Sequence, residues 1–244
     1  MQVDAFAIRL RRRGNLEAAD LGVRLCQSVA RSVYACYFVI ALPIIAIALA
    51  TFEIATWLPT LVMWWVKPWF DRTILFVLAR AAFGQRTQIK DVWREQGHVW
   101  WSQLLGTLTL RRLSPWRSFT QPVFQLEGLS LGKRSARVRQ IRSGKTGSAL
   151  LMTSAYSFVE LAFSLALLSL VFWFAPAGQE PEFTQLFTAE GERVAELAFA
   201  ISYAVVILAL EPFYVASGFG MYLNRRVELE AWDIEQEFRR AFPQ

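Results

Sequence analysis

Lys67 and Glu211 stand inside long apolar runs, and each is followed by proline and two aromatic residues, Pro68-Trp69-Phe70 and Pro212-Phe213-Tyr214. A lone charge in hydrocarbon costs several kcal/mol on insertion scales, so such residues face protein or water and find a partner. Opposite signs at matching positions predict an ion pair. Each proline removes an amide donor and frees a carbonyl one turn earlier, which kinks the helix and leaves a polar spot at the same depth. The alternative arrangement has Lys67 snorkelling to the cytoplasmic interface on its long stem, with Glu211 neutral in the bilayer. Glu160, in SAYSFVELAFSL, is the other intramembrane acid. Ser154, Tyr156 and Ser157 on nearby turns can satisfy it locally as a packed hydrogen-bonding residue, a proton or cation site being the alternative. Lys67, Pro68, Glu160, Glu211 and Pro212 are therefore the candidate intramembrane polar site.

Other chemistry finds little support. His98 is the single histidine, and nothing around it supplies zinc-ligand spacing or a nucleophile with an orienting acid. Cys26 and Cys36 flank the cytoplasmic side of the first long apolar run, where thiols stay reduced. SGKTGS (143–148) lacks the first glycine and the preceding strand of a phosphate loop. No catalytic residue, metal ligand or cofactor site is assigned, and a non-enzyme is expected.

The polar site needs membrane helices to hold it. At 55% hydrophobic residues with ten tryptophans, the chain departs from the soluble balance. A hydrocarbon core of about 30 Å requires roughly 20 apolar residues per helix. Four stretches are long enough, Val33–Phe52, Ile54–Phe83, Ser148–Phe174 and Val194–Leu223, so an all-α polytopic protein with four membrane elements, two of them long and Pro-kinked, is expected. The first element lies behind a mixed-charge amphipathic stretch, unlike a cleaved signal sequence, and the mature chain is expected to start near Met1.

Lys and Arg in short flanks stay cytoplasmic. Residues 1–32 hold six arginines, residues 84–147 twelve Lys or Arg, and the tail beyond Leu223 four, whereas the loop 176–193 carries four glutamates against Arg193. Both termini and the segment 84–147 are thus expected on the cytoplasmic side. The formal charge of +6 reads as this asymmetry plus attraction to anionic lipid, about 1 kcal/mol per basic residue near the surface, rather than as nucleic-acid binding.

The cytoplasmic segments read as surface helices. Asn15 can cap a helix that shows Leu16, Val23 and Ala30 on one face and lies along the membrane. Residues 88–113 place Trp93, Trp100, Trp101, Leu104 and Leu108 on one broad face, interfacial because Trp prefers headgroup depth and 99–110 is too short to span, with a shallow re-entrant segment as the alternative. The basic run 133–145, with Arg137 and Arg139, is too sparse in apolar residues for a core and reads as a lipid-facing patch, a partner dock being the other option. The small residues of VASGFG (215–220) allow close helix packing. Matching motifs in 1–112 and 122–244, in the same order and direction, suggest a parallel internal repeat.

The stretches LEAADLG, KPWFDR and TLRRLSPWRSF, and above all Asn224, Arg225, Arg226, Leu229, Glu230, Trp232, Asp233, Ile234 and Glu235 in NRRVELEAWDIE, resemble the uncharacterised polytopic membrane proteins of Gram-negative bacteria. A more remote similarity is to the membrane domain that accompanies some glycerophosphodiester phosphodiesterases. The resemblance implies an inner-membrane protein encoded near MoxR-type ATPases and transglutaminase-like membrane proteins, a subunit of an envelope-associated assembly, with no activity to carry over. Read physically, Arg225 and Arg226 stop the last helix at the headgroups, and the following helix shows Leu229, Trp232, Ile234 and Phe238 to a partner or to lipid. The expected role is a scaffold or assembly subunit; the alternative is a small transporter or channel with a polar path through Lys67, Glu160 and Glu211.

Overall fold

The computed structural model describes residues 12–102, 104–109, 111–174 and 189–230, which form helices and turns and, among the described residues, no strand. The helices are α1 Asn15–Ser28, α2 Ala30–Ala50, α3 Leu58–Ala82, α4 Ile89–Arg94, α5 Leu104–Leu108, α6 Arg117–Leu126, α7 Leu131–Arg142, α8 Thr146–Trp173 and α9 Ala189–Glu230. Ala30–Glu53, Thr146–Leu170 and Gly191–Glu230 are long and apolar enough to cross a membrane, so the chain is an all-helical membrane protein. Side chains such as Phe38, Leu42 and Ile47 on α2 and Phe158, Phe163 and Trp173 on α8 lie exposed, as a lipid-facing surface requires. Of the four expected elements, α3 is the one outside that set. Its 25 residues reach about 37 Å, but Lys67, Asp71, Arg72 and Arg80 interrupt its apolar run.

All of α1, α2, α3, α6 and α8 pack on α9. Against its C-terminal half, α1 runs antiparallel at backbone contact: a Cβ on Gly22 would overlap the backbone of Ala216, and one on Gly220 the backbone of Ala18 and Gly22. Gly218 meets Ser118 of α6 in the same way. Small residues are what allow such approach. Asn224 closes the seam, accepting from the Arg13 amide and donating to its carbonyl, both at 2.9 Å.

This seam corrects the expected face of α1. The buried residues are Ala18, Ala19, Gly22 and Cys26, while Leu16 is exposed and Val23 half-buried; a partner helix at backbone distance selects the smallest side chains, not the most apolar ones. Gly14 takes the N-cap, and the Asn15 amide instead donates to Ser148 Oγ at 2.7 Å. Residues 88–113 are likewise not one amphipathic helix. They divide into α4, a π-turn at Gly97–Trp101 and α5, because Arg72 of α3 draws the His98 and Val99 carbonyls toward itself. Trp100 is therefore buried, donating to Thr73 Oγ1 at 3.0 Å, and Trp93 and Trp101 stay exposed. In α7, Ile141 is fully buried and Val138 packs on the core, so the basic run does contribute to the core, through the one face that meets α6 and α9.

Gly22→Val is expected to overpack the α1–α9 seam and cost at least about 1–3 kcal/mol, seen as a lowered melting temperature in detergent. Gly132→Ala, on α7 with open space around its Cβ position, is expected to leave stability unchanged or raise it by up to about 1 kcal/mol through helix propensity.

Candidate functional site

At mid-height of the bundle, α3, α6, α8 and α9 bring five charged side chains together. The Lys67 ammonium lies 2.5 Å from Glu160 Oε2 and 2.8 Å from Glu211 Oε2. Arg117 of α6 lies 3.0 Å from Glu211 Oε1 through a terminal guanidinium nitrogen and, through Nε, 2.7 Å from Asp71 Oδ2. The latter is an ion contact without hydrogen-bond alignment, and both Asp71 oxygens lack an aligned donor. Lys67 and Asp71 are four residues apart and so share one face of α3. Asp71 is fully buried and Glu211 2% exposed, whereas the Glu160 side chain keeps 17% of its surface open.

Aromatic residues wall the cluster. Tyr203 stands beside Glu160, and Arg117 lies over the Tyr214 ring, 5.3 Å from its centroid. From α2, the Tyr34 and Tyr37 hydroxyls donate to the carbonyls of Ala209 and Ile207, at 2.8 and 3.3 Å, on the turn before buried Pro212. Proline cannot donate back along the helix there, and these bonds tie α2 to the weakened turn. The other proline, Pro68, is also buried in α3.

A groove of about 1000 Å³ opens beside the cluster. α3 and α8 form its walls and α9 its back, running from Thr56 and Glu192 at one end to Lys67, Arg117 and Glu160 at the base. Leu61, Trp64, Leu161 and Phe199 give it apolar sides, and Thr153, Tyr156 and Ser157 line it near the base. Arg112 closes the base, with its guanidinium 3.7 Å from the Trp64 ring centroid.

Of the residues singled out from sequence, Lys67, Glu160 and Glu211 meet, and both prolines lie beside them. Two details differ from expectation. Glu160 is held by Lys67 rather than by its local hydroxyls; Tyr156 reaches across to Ser217 at 2.8 Å instead. And the pair is part of a five-member network, completed by Asp71 and Arg117. Lys67→Asp71 spacing inside an apolar helix was a usable signal for Asp71. For Arg117, in a basic stretch that reads as cytoplasmic, no local signal exists.

The candidate surface residues fall elsewhere. Arg137 is half-buried, bridging Glu127 at 2.9 Å and also Glu230; these two carboxylates hold its pKa above the usual guanidinium value despite the opposing effect of burial. Arg139 is exposed. Arg225 pairs with Glu228 at 2.8 Å and donates to the Ser143 carbonyl, and Arg226 pairs with Glu230 at 2.6 Å. These two arginines therefore do not stop α9 but fasten its last turns, to α7 and to the acids one turn on. Trp232, Asp233 and the rest of the tail signature lie outside the described residues, as does most of the loop 176–193. Comparison with family models, with curated proteins and with solved structures finds no match.

What this arrangement does chemically is hold three carboxylates and two cations in mutual contact, largely shielded from water except where Glu160 opens on the groove. Removing one partner of a buried pair leaves an uncompensated charge, at about 3–5 kcal/mol. Lys67→Met is expected to destabilise by that amount in detergent unfolding. Adding Glu160→Leu, whose ion contact is to Lys67 alone, should recover part of the loss, with coupling of about 0.5–3 kcal/mol. Coupling of Lys67→Met to Glu211→Leu should be weaker, because Arg117 then loses a partner of its own.

Proposed function

We propose that this protein is a non-enzymatic scaffold or assembly subunit of the inner membrane of a Gram-negative bacterium, within an envelope-associated complex. In this reading α2, α3, α8 and α9 all cross the bilayer, with both termini and the segment 84–147 cytoplasmic. The observation that carries it is the combination of a closed ion network with an open groove beside it. Lys67 and Arg117 spend their charge on the three carboxylates, which fixes four helices relative to one another. The groove between α3 and α8 is then a rigid seat, apolar along its sides and polar at its base, of the kind that receives a partner's membrane helix. The resemblance of the tail signature points to a partner from a MoxR-type ATPase system. A parallel duplication of the two halves is part of the same reading, supported by the way each Pro-broken helix delivers its charged residue to one cluster.

One observation favours a second reading, a small transporter or channel. Lys67, Glu160 and the polar side chains above them line one continuous cavity, as a polar path would require. A photo-crosslinking residue in place of Leu161, half-exposed on the groove wall, separates the two. The scaffold predicts a discrete protein adduct in native membranes and no solute flux in liposomes. Flux through purified protein that disappears in Glu160→Gln, with no protein adduct, would replace the scaffold with the transporter.

The topology has its own test. Burial pushes the Cys26 thiol up to about 12 and Cys36 is buried, so introduced cysteines report with little background. An impermeant maleimide applied to intact spheroplasts is expected to label Ile54→Cys, in the exposed turn after α2, and to miss Arg139→Cys. The reverse pattern inverts the orientation.

A further inference from the structure

Behind Arg117, on the side away from the groove, lies a second and smaller cavity of about 130 Å³. Among the described residues, four arginines line it, Arg72, Arg111, Arg117 and Arg142, and no carboxylate does. Arg117 has its charge met by Asp71 and Glu211 in the ion cluster. Arg72 is nearly fully buried, yet its hydrogen bonds go to the neutral acceptors Val99 O, His98 O, Ser102 Oγ and Thr107 Oγ1. The Arg142 guanidinium stacks on Trp116, 3.6 Å from the ring centroid, and its buried Nε has no acceptor. Burial, and to a lesser extent the neighbouring Arg134, pulls the Arg111 guanidinium down to about 10. Gln121, 8% exposed, lines the cavity with an amide nitrogen that also lacks an acceptor. Guanidinium forks are the side chains best matched to phosphate oxygens, and buried donors without acceptors require a ligand or a rearrangement.

We propose that this cavity is a phosphate-binding site, taking one phosphate group against Gln121, Arg142 and the neighbouring arginines. Its volume suits a single tetrahedral oxyanion and is too small for a nucleotide. The phosphate belongs either to a lipid headgroup or to the free anion. Bound there, it offsets the repulsion between Arg72, Arg111 and Arg142 and holds α5, α6 and α7 together on the flank of Arg117. The cavity shares Ser114 and Arg117 with the groove, while its donors Gln121 and Arg142 lie outside the groove lining.

Calorimetric titration of the full chain in neutral detergent, at constant ionic strength set with chloride, tests the site with inorganic phosphate and with lysophosphatidic acid. Saturable binding of at least one is expected, with Arg142→Gln and Gln121→Leu each weakening it at least fivefold. Arg139→Gln, on α7 but outside this cavity, should leave it unchanged. Should Gln121→Leu fail to fold, Arg142→Gln against Arg139→Gln decides alone. Lysophosphatidic acid binding more than tenfold tighter than phosphate identifies the lipid source, and equal affinities identify the free anion. Absence of saturable binding by both, or equal losses in Arg139→Gln and Arg142→Gln, overturns the proposal.

Discussion

The structure is organised by the need to keep Lys67, Asp71, Arg117, Glu160 and Glu211 in contact once they are out of water. Desolvating five charges is a large unfavourable term, offset only while every member keeps its partners. No two of them would suffice: Glu211 needs both Lys67 and Arg117, and Lys67 is shared between Glu211 and Glu160. The demand therefore spreads over α3, α6, α8 and α9, and it rules out sliding any one helix by a turn. Small residues at the α1–α9 seam and the tyrosines of α2 then secure the remaining helices against the same axis.

The membrane class, the polar site at Lys67 and Glu211, and the packing role of the small residues at 215–220 were legible from residue types and spacing alone. Those features are local: an apolar run, a charge beside proline, a stripe of glycines. What was not legible depended on tertiary capture. Arg117 lies in a stretch whose basic character reads as cytoplasmic surface, and only its approach to Asp71 and Glu211 turns it inward. Trp100 carries the composition of an interfacial residue, and it is buried because Arg72 bends the chain around itself. The apparent face of α1 was misread because large apolar residues dominate a periodicity count, whereas a seam at backbone contact admits only alanine and glycine.

Arg117 lines the groove between α3 and α8, which is mixed in character and bordered by the partly open Glu160, and it also lines the arginine-rich cavity. Both cavities are lined by Ser114 and Arg117. The Arg117 guanidinium is therefore common to both cavities and to the ion cluster, so displacing α6 would change all three together.

The length of α9 carries a mechanical consequence. Its 42 residues form a rod of about 63 Å, roughly twice the thickness of a hydrocarbon core. Proline interrupts it at Pro212, the place where such a rod would flex. The ion network grips Glu211, immediately before that point, and Tyr34 and Tyr37 grip the turn before it. The joint is thus splinted from three sides. While the splint holds, the two halves of α9 tilt as one rod; with the charges unpaired, they would be free to bend independently at Pro212.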